Sequence, residues 1–140
     1  MVQDCLKKTL LTYDFIDFAL LFGSFVKGMQ HAMSDIDVAI YTNRPIDIFE
    51  QGEVIAHLED LCERRIDLVI VNNLTKTDAK LAFNIVSNHQ LLFYRHYIDY
   101  VTFKEETYRY YFDQKPMFDM FDQALQQRLT DGTYGKAQAS

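Results

Sequence analysis

The sequence predicts an α/β domain, and three observations carry that prediction. Short apolar or alternating runs with strand character interleave with stretches of helical spacing through the first two thirds of the chain. At 140 residues, with 49% hydrophobic and 24% charged residues, the chain fits one domain with a core of its own. Beyond residue 97 the strand signals stop and only helical spacing remains, which adds a C-terminal helical arm.

Leu6, Leu10, Leu11 and Tyr13 fall near helical spacing, so residues 3–14 are read as a first helix. Residues 18–22 are apolar without a break and stop at Gly23, as a short buried strand does before a turn. Residues 24–31 can form one or two helical turns with Ser24 as N-cap. From 35 to 41 the pattern alternates, with Ile36, Val38 and Ile40 on one face and Asp35, Asp37 and Ala39 on the other. Asn43-Arg44-Pro45 ends that strand, because Pro45 has no ladder donor. Ile48, Phe49, Ile55, Leu58, Leu61 and Cys62 give residues 47–63 a helical stripe. Residues 66–71 form a third alternating strand, with Asp67 opposite Ile66, Leu68 and Ile70, closed by Asn72-Asn73. Residues 77–88 read as helix and 90–94 as a short strand. Residues 97–129 read as one or two helices broken near Lys115-Pro116, and 130–140 as a frayed tail. The expected organisation is a core over 1–95, helices over 96–129 packed on it or on a partner, and the tail.

The formal charge is −6. A duplex binder needs a surplus of Lys and Arg to displace phosphate counterions, so a nucleic-acid ligand is disfavoured, as is an anionic membrane surface. The apolar runs are far short of the ~20 residues a membrane span needs. With no basic n-region or apolar h-region at the start, a cytoplasmic protein is expected. Cys5 and Cys62 are widely spaced and are read as buried or idle thiols rather than a disulfide or zinc site. His31, His57, His89 and His96 show no metal-ligand spacing.

The chemistry concentrates between Gly23 and Asp67. Side chains at i and i+2 of a strand point the same way, so Asp35 and Asp37 lie side by side. Two such anions repel unless a cation sits between them, and a hard dication such as Mg²⁺ prefers carboxylate oxygens. Asp67 on a neighbouring strand would complete a set of three. Taken alone, Asp67 could equally pair with Arg64 or Arg65 at the surface. Gly23 lets backbone approach a phosphate closely, and Ser24 heads a turn whose free N–H groups attract anions. Lys27, one turn on, can reach the same phosphates. Phosphate cradle, carboxylate pair and third carboxylate together suit nucleotidyl transfer with two metal ions.

Gly23-Ser24, ten intervening residues and Asp35-x-Asp37 resemble the signature of the DNA polymerase beta-like nucleotidyltransferase superfamily, and the surrounding residues resemble its minimal nucleotidyltransferase branch. The resemblance covers about residues 3–95. It implies a nucleotidyltransferase fold, a small mixed sheet flanked by helices, with ATP as donor. It also implies two Mg²⁺ ions held by Asp35, Asp37 and Asp67, the last helping to deprotonate the acceptor. Gly23, Ser24, Lys27 and Ser34 are the candidate nucleotide-binding residues. Where the family often has a small residue and arginine in the turn, this chain has Val26 and Lys27, and lysine lacks the forked phosphate contact.

Minimal nucleotidyltransferases of this kind are commonly antitoxins of HEPN ribonuclease toxins. The resemblance therefore implies a hetero-oligomer with a HEPN toxin and AMP transfer from ATP to a toxin tyrosine. An inactive antitoxin acting by occlusion and an enzyme with a small-molecule acceptor are the alternatives. Nine of the 20 aromatic residues fall between Tyr97 and Phe121. They suit either packing on the core or an interface.

Overall fold

The computed structural model of the chain describes residues 2–26 and 35–131. Four strands, β1 (Ile16–Phe22), β2 (Ile36–Thr42), β3 (Ile66–Ile70) and β4 (His89–Tyr94), form one sheet in the order β3-β2-β1-β4. β1 pairs antiparallel with β2 and β4, whereas β2 and β3 run parallel. A parallel pair needs a long crossover, and helix α2 (Ile48–Cys62) supplies it. The sheet is mixed, as the family resemblance implies.

Helices cover both faces. Leu6 and Leu10 of α1 (Val2–Leu11) and Val54 and Leu58 of α2 pack against Ile16, Leu21, Ile36, Val38 and Ile40. On the other face, α3 (Leu74–Thr77), α4 (Ala79–Ser87) and α5 (Tyr97–Asp131) bury Phe18, Leu20 and Ala39. β1 is central and covered on both sides, which is why its residues read as a continuous apolar run rather than an alternation. The face of β2 and β3 carrying Asp37 and Asp67 is therefore not a bare polar surface: farther along, Ala39 and Val71 are buried in it.

The ends of α2 follow their local chemistry. Asp47 Oδ1 accepts from the Glu50 N–H at 2.8 Å and Glu50 Oε1 accepts from the Asp47 N–H at 3.2 Å, a reciprocal capping box. Glu63 closes the helix in the left-handed conformation at φ 54°. Asp47→Ala is expected to lower stability by about 1 kcal/mol in urea unfolding, with activity unchanged.

Several sequence expectations are corrected. The helix expected over 77–88 is α4, which starts at Ala79 after Asp78 divides it from α3; the Asp78 side chain accepts from the Leu81 N–H at 3.1 Å. Ile48 and Phe49 are exposed, at 75% and 83%, and Val54 takes the core position, because the stripe that faces the sheet starts a turn later. Cys5 and Cys62 form a disulfide, with Cα atoms 5.9 Å apart. α1 and α2 pack side by side on one sheet face, which brings together two positions distant in sequence.

Pro116 does not break the arm. α5 is one helix of 35 residues. Proline removes a single N–H, and here the helix is solvent-exposed, so water can satisfy the freed Phe112 carbonyl. A Lys115–Asp119 ion pair at 2.8 Å spans the same turn. The aromatics of α5 divide between the two roles. Tyr100 and Phe103 are core residues and Tyr111 stacks on Phe83 with ring centroids 4.0 Å apart, whereas Phe112 and Phe121 stay exposed. His89 ties β4 to this helix. Its Nδ1 lies 2.9 Å from the Val86 carbonyl and its Nε2 2.7 Å from the Tyr100 hydroxyl. Burial lowers its pKa, so the neutral ring donates from Nδ1 and accepts at Nε2. Of the expected tail, Thr130 and Asp131 continue the helix; 132–140 lie outside the described residues.

Candidate active site

β1 ends at Phe22, whose register partner on β2 is Asp37. On its other side Asp37 is the partner of Asp67 across the parallel β2–β3 pair. The two carboxylates thus meet on adjacent strands, pointing to the same face, as the alternation of both strands predicts. Asp35 precedes β2 and adds a third anion beside them. Burial pushes the Asp37 carboxyl above the usual carboxylate range, and the neighbouring charges of Asp67 and then Asp35 push it further, as does a side-chain hydrogen bond with Asp67. Three carboxylates repel one another here, one of them half-buried, and a hard dication would relieve that repulsion.

Gly23 closes the site from β1. Its φ of +80° is a conformation L residues rarely adopt. A Cβ built there would overlap the Asp37 carboxylate, lying 2.9 Å from its Cγ. The turn can follow β1 this closely over the acidic cluster only because glycine has no side chain.

Ser24 lies in a single 3₁₀ turn, Gly23–Phe25, whose N-cap is Phe22 rather than Ser24; it makes no cap through its side chain, and the Val26 N–H donates to the Gly23 carbonyl. The predicted one or two turns over 24–31 correspond to this short turn in their described part. Three residues are too few for a helix dipole, so any phosphate here would meet the N–H groups of the turn itself. Lys27, Gly28, His31 and Ser34 lie outside the described residues.

The sequence offered Arg64 or Arg65 as a partner for Asp67, and Arg65 goes elsewhere. Its Nε lies 3.9 Å from Asp35 Oδ1, in an exposed pair worth little by itself. The parallel register explains this: Arg65 sits beside the entry to β2, where its carbonyl accepts from the Ile36 N–H at 2.9 Å. Position before a strand paired with β2 is a signal that could have found it. No helix among the described residues is long and apolar enough to cross a membrane.

Comparison with known proteins finds relatives in sequence and in structure. The family described as "Polymerase beta, Nucleotidyltransferase" matches residues 4–97. A provisionally named protein adenylyltransferase of Methanocaldococcus jannaschii is 35% identical over 54 residues, 39% of this chain and 55% of that protein. The chain thus matches about half the length of that curated relative. Among solved structures, a toxin–antitoxin with AMP-PNP superimposes with a TM-score of 0.70 at 22% identity, over 88% of this chain and 98% of the other. A tri-AMPylated Shewanella oneidensis HEPN toxin in complex with an MNT antitoxin contains a chain that superimposes with a TM-score of 0.62 at 18% identity, over 88% and 98%. At these identities the likeness of the structures shows a shared fold.

Proposed function

The chain belongs to the Polymerase beta nucleotidyltransferase family, and from that premise we propose that it is an antitoxin that transfers AMP from ATP to a tyrosine of a HEPN ribonuclease partner. The observation that carries this reading is the Gly23 turn set directly against the Asp37 carboxylate, itself in register with Asp67. It puts a side-chain-free backbone approach for phosphates next to an anionic cluster with no other evident use. AMPylation of a HEPN toxin is named for one relative of the same fold, and binding of an ATP analogue for another.

In the proposed reaction the tyrosine oxygen bonds to the α-phosphorus of ATP. The bond from that phosphorus to the pyrophosphate oxygen breaks, and the hydroxyl proton passes to Asp67, the more exposed carboxylate of the pair. Gly23 and Ser24 hold the triphosphate through turn N–H groups; Lys27 and Ser34 are assigned to the nucleotide by sequence position. Asp35, Asp37 and Asp67 would hold one or two divalent ions, Mg²⁺ by donor type, which when bound neutralise phosphate charge and acidify the acceptor hydroxyl.

The test is intact-mass spectrometry of a HEPN partner co-expressed with the wild-type chain or with the Asp35→Asn/Asp37→Asn variant. Whole adenylyl additions that require both aspartates and Mg-ATP are the expected result. An unmodified toxin held inactive in a stable complex would identify a binding-only antitoxin. Absence of any complex would point to a small-molecule acceptor.

A further inference from the structure

We infer that Asp17, His96 and Asp99 form a second metal site, for a divalent first-row transition ion, at the end of the sheet away from the acidic cluster. Asp17 is near the start of β1 and Phe22 at its end, which separates the two sites by roughly 17 Å of extended strand. Three separate elements bring the donors together: β1, the turn after β4, and the first turn of α5. One ligand atom from each lies within 4.8 Å of the others. His96 Nδ1 is 2.8 Å from Asp17 Oδ1 and 4.0 Å from Asp99 Oδ2.

The charge balance asks for a cation. Asp17 is 2% exposed, and a buried carboxylate is costly unless fully paired. The adjacent Arg95 does not pair with it. Its guanidinium is spent on backbone, with Nε donating to the Ile16 carbonyl at 2.9 Å and Nη2 to those of Leu11 and Tyr13 at 2.9 and 3.2 Å. Arg44, which lines the same cavity as Asp17 and Asp99, is committed to Glu50 at 2.7 Å. Two carboxylates therefore face one imidazole. The N-terminal dipole of α5 opposes a cation, but its roughly half charge is set against two carboxylate groups.

A nitrogen donor beside two carboxylates favours Zn²⁺ or Mn²⁺ over Mg²⁺ or Ca²⁺. The cavity beside Asp17 and Asp99, about 640 Å³, leaves room for waters to complete the coordination shell. Such an ion would pin the start of α5 to β1. The site does not depend on the proposed AMP transfer.

Calorimetric titration of ZnCl₂ into the metal-stripped full chain tests this. Wild type and Asp37→Asn should share one Zn²⁺-binding event that His96→Ala weakens at least about tenfold. Zn²⁺ should raise the Tm of Asp37→Asn but not that of Asp37→Asn/His96→Ala. Zn²⁺ binding unchanged in His96→Ala would overturn the site. Should that variant fail to fold, the ¹⁵N resonance of His96 Nδ1 in the wild type decides: a Zn²⁺-dependent shift supports coordination, and an unmoved resonance refutes it.

Discussion

Asp37→Asn is expected to reduce AMP transfer by at least about 10³-fold, the loss of roughly 4 kcal/mol of transition-state stabilisation, and at the same time to raise the Tm. The two effects have one origin. Burial first, then Asp67 and Asp35, raise the pKa of Asp37 in the folded protein above its ordinary value. A carboxyl raised in this way binds more protons folded than unfolded. Its favourable contribution is complete below the unfolded pKa and is lost as pH rises through the folded one. At neutral pH the ionised Asp37 therefore works against folding, and a neutral amide of the same shape relieves it. Melting curves in EDTA should show wild type and Asp37→Asn converging near pH 4 and diverging as pH rises, with the variant higher. Added Mg²⁺ should narrow the gap at pH 7.5 by stabilising only the wild type. A variant that melts below the wild type at neutral pH without metal would mean that the three carboxylates are not crowded in solution.

That crowding was legible in the sequence, and its cause shows why. Asp35, Asp37 and Asp67 are governed by the two-residue period of strands, and a period can be read without knowing what lies across the sheet. The strand pairing that sets Asp37 beside Asp67 follows from a crossover helix of ordinary length between them. Gly23 was legible for a related reason, since an apolar strand ending in glycine announces a turn. Contacts between segments with no shared period were not legible. Cys5 meets Cys62, 57 residues away, only because two helices lie on one sheet face. Asp17 meets His96 across 79 residues because β1 and the end of β4 are neighbours, and no local spacing signals a metal set divided in that way. Ile48 and Phe49 misled for the opposite reason. Hydrophobicity marked them as core, while the capping box at Asp47 holds them in the first turn of α2, where both remain exposed. Pro116 likewise follows a sound local rule whose penalty is small on an exposed helix that water can reach.

Gly23→Ala is expected to be the most damaging small substitution in the chain, and a double-mutant cycle can separate its two costs. The first is conformational: at φ +80° an L residue costs roughly 1–2 kcal/mol relative to glycine. The second is steric. The new methyl would fall within 3.2 Å of Asp37 Cβ and closer still to its carboxylate, so that side chain must shift. Together they should lower stability by about 2–3 kcal/mol in denaturant unfolding, and displacing a catalytic group by ~1 Å should reduce transfer by at least about 10²-fold. In an Asp37→Ala background the carboxylate is gone, while the conformational cost and the contact with Cβ persist, so Gly23→Ala should be about 1 kcal/mol cheaper there. If Gly23→Ala instead costs the same in both backgrounds, the turn is strained on its own account and does not press against the acidic cluster. The proposed nucleotide site would then lose the contact on which it is built.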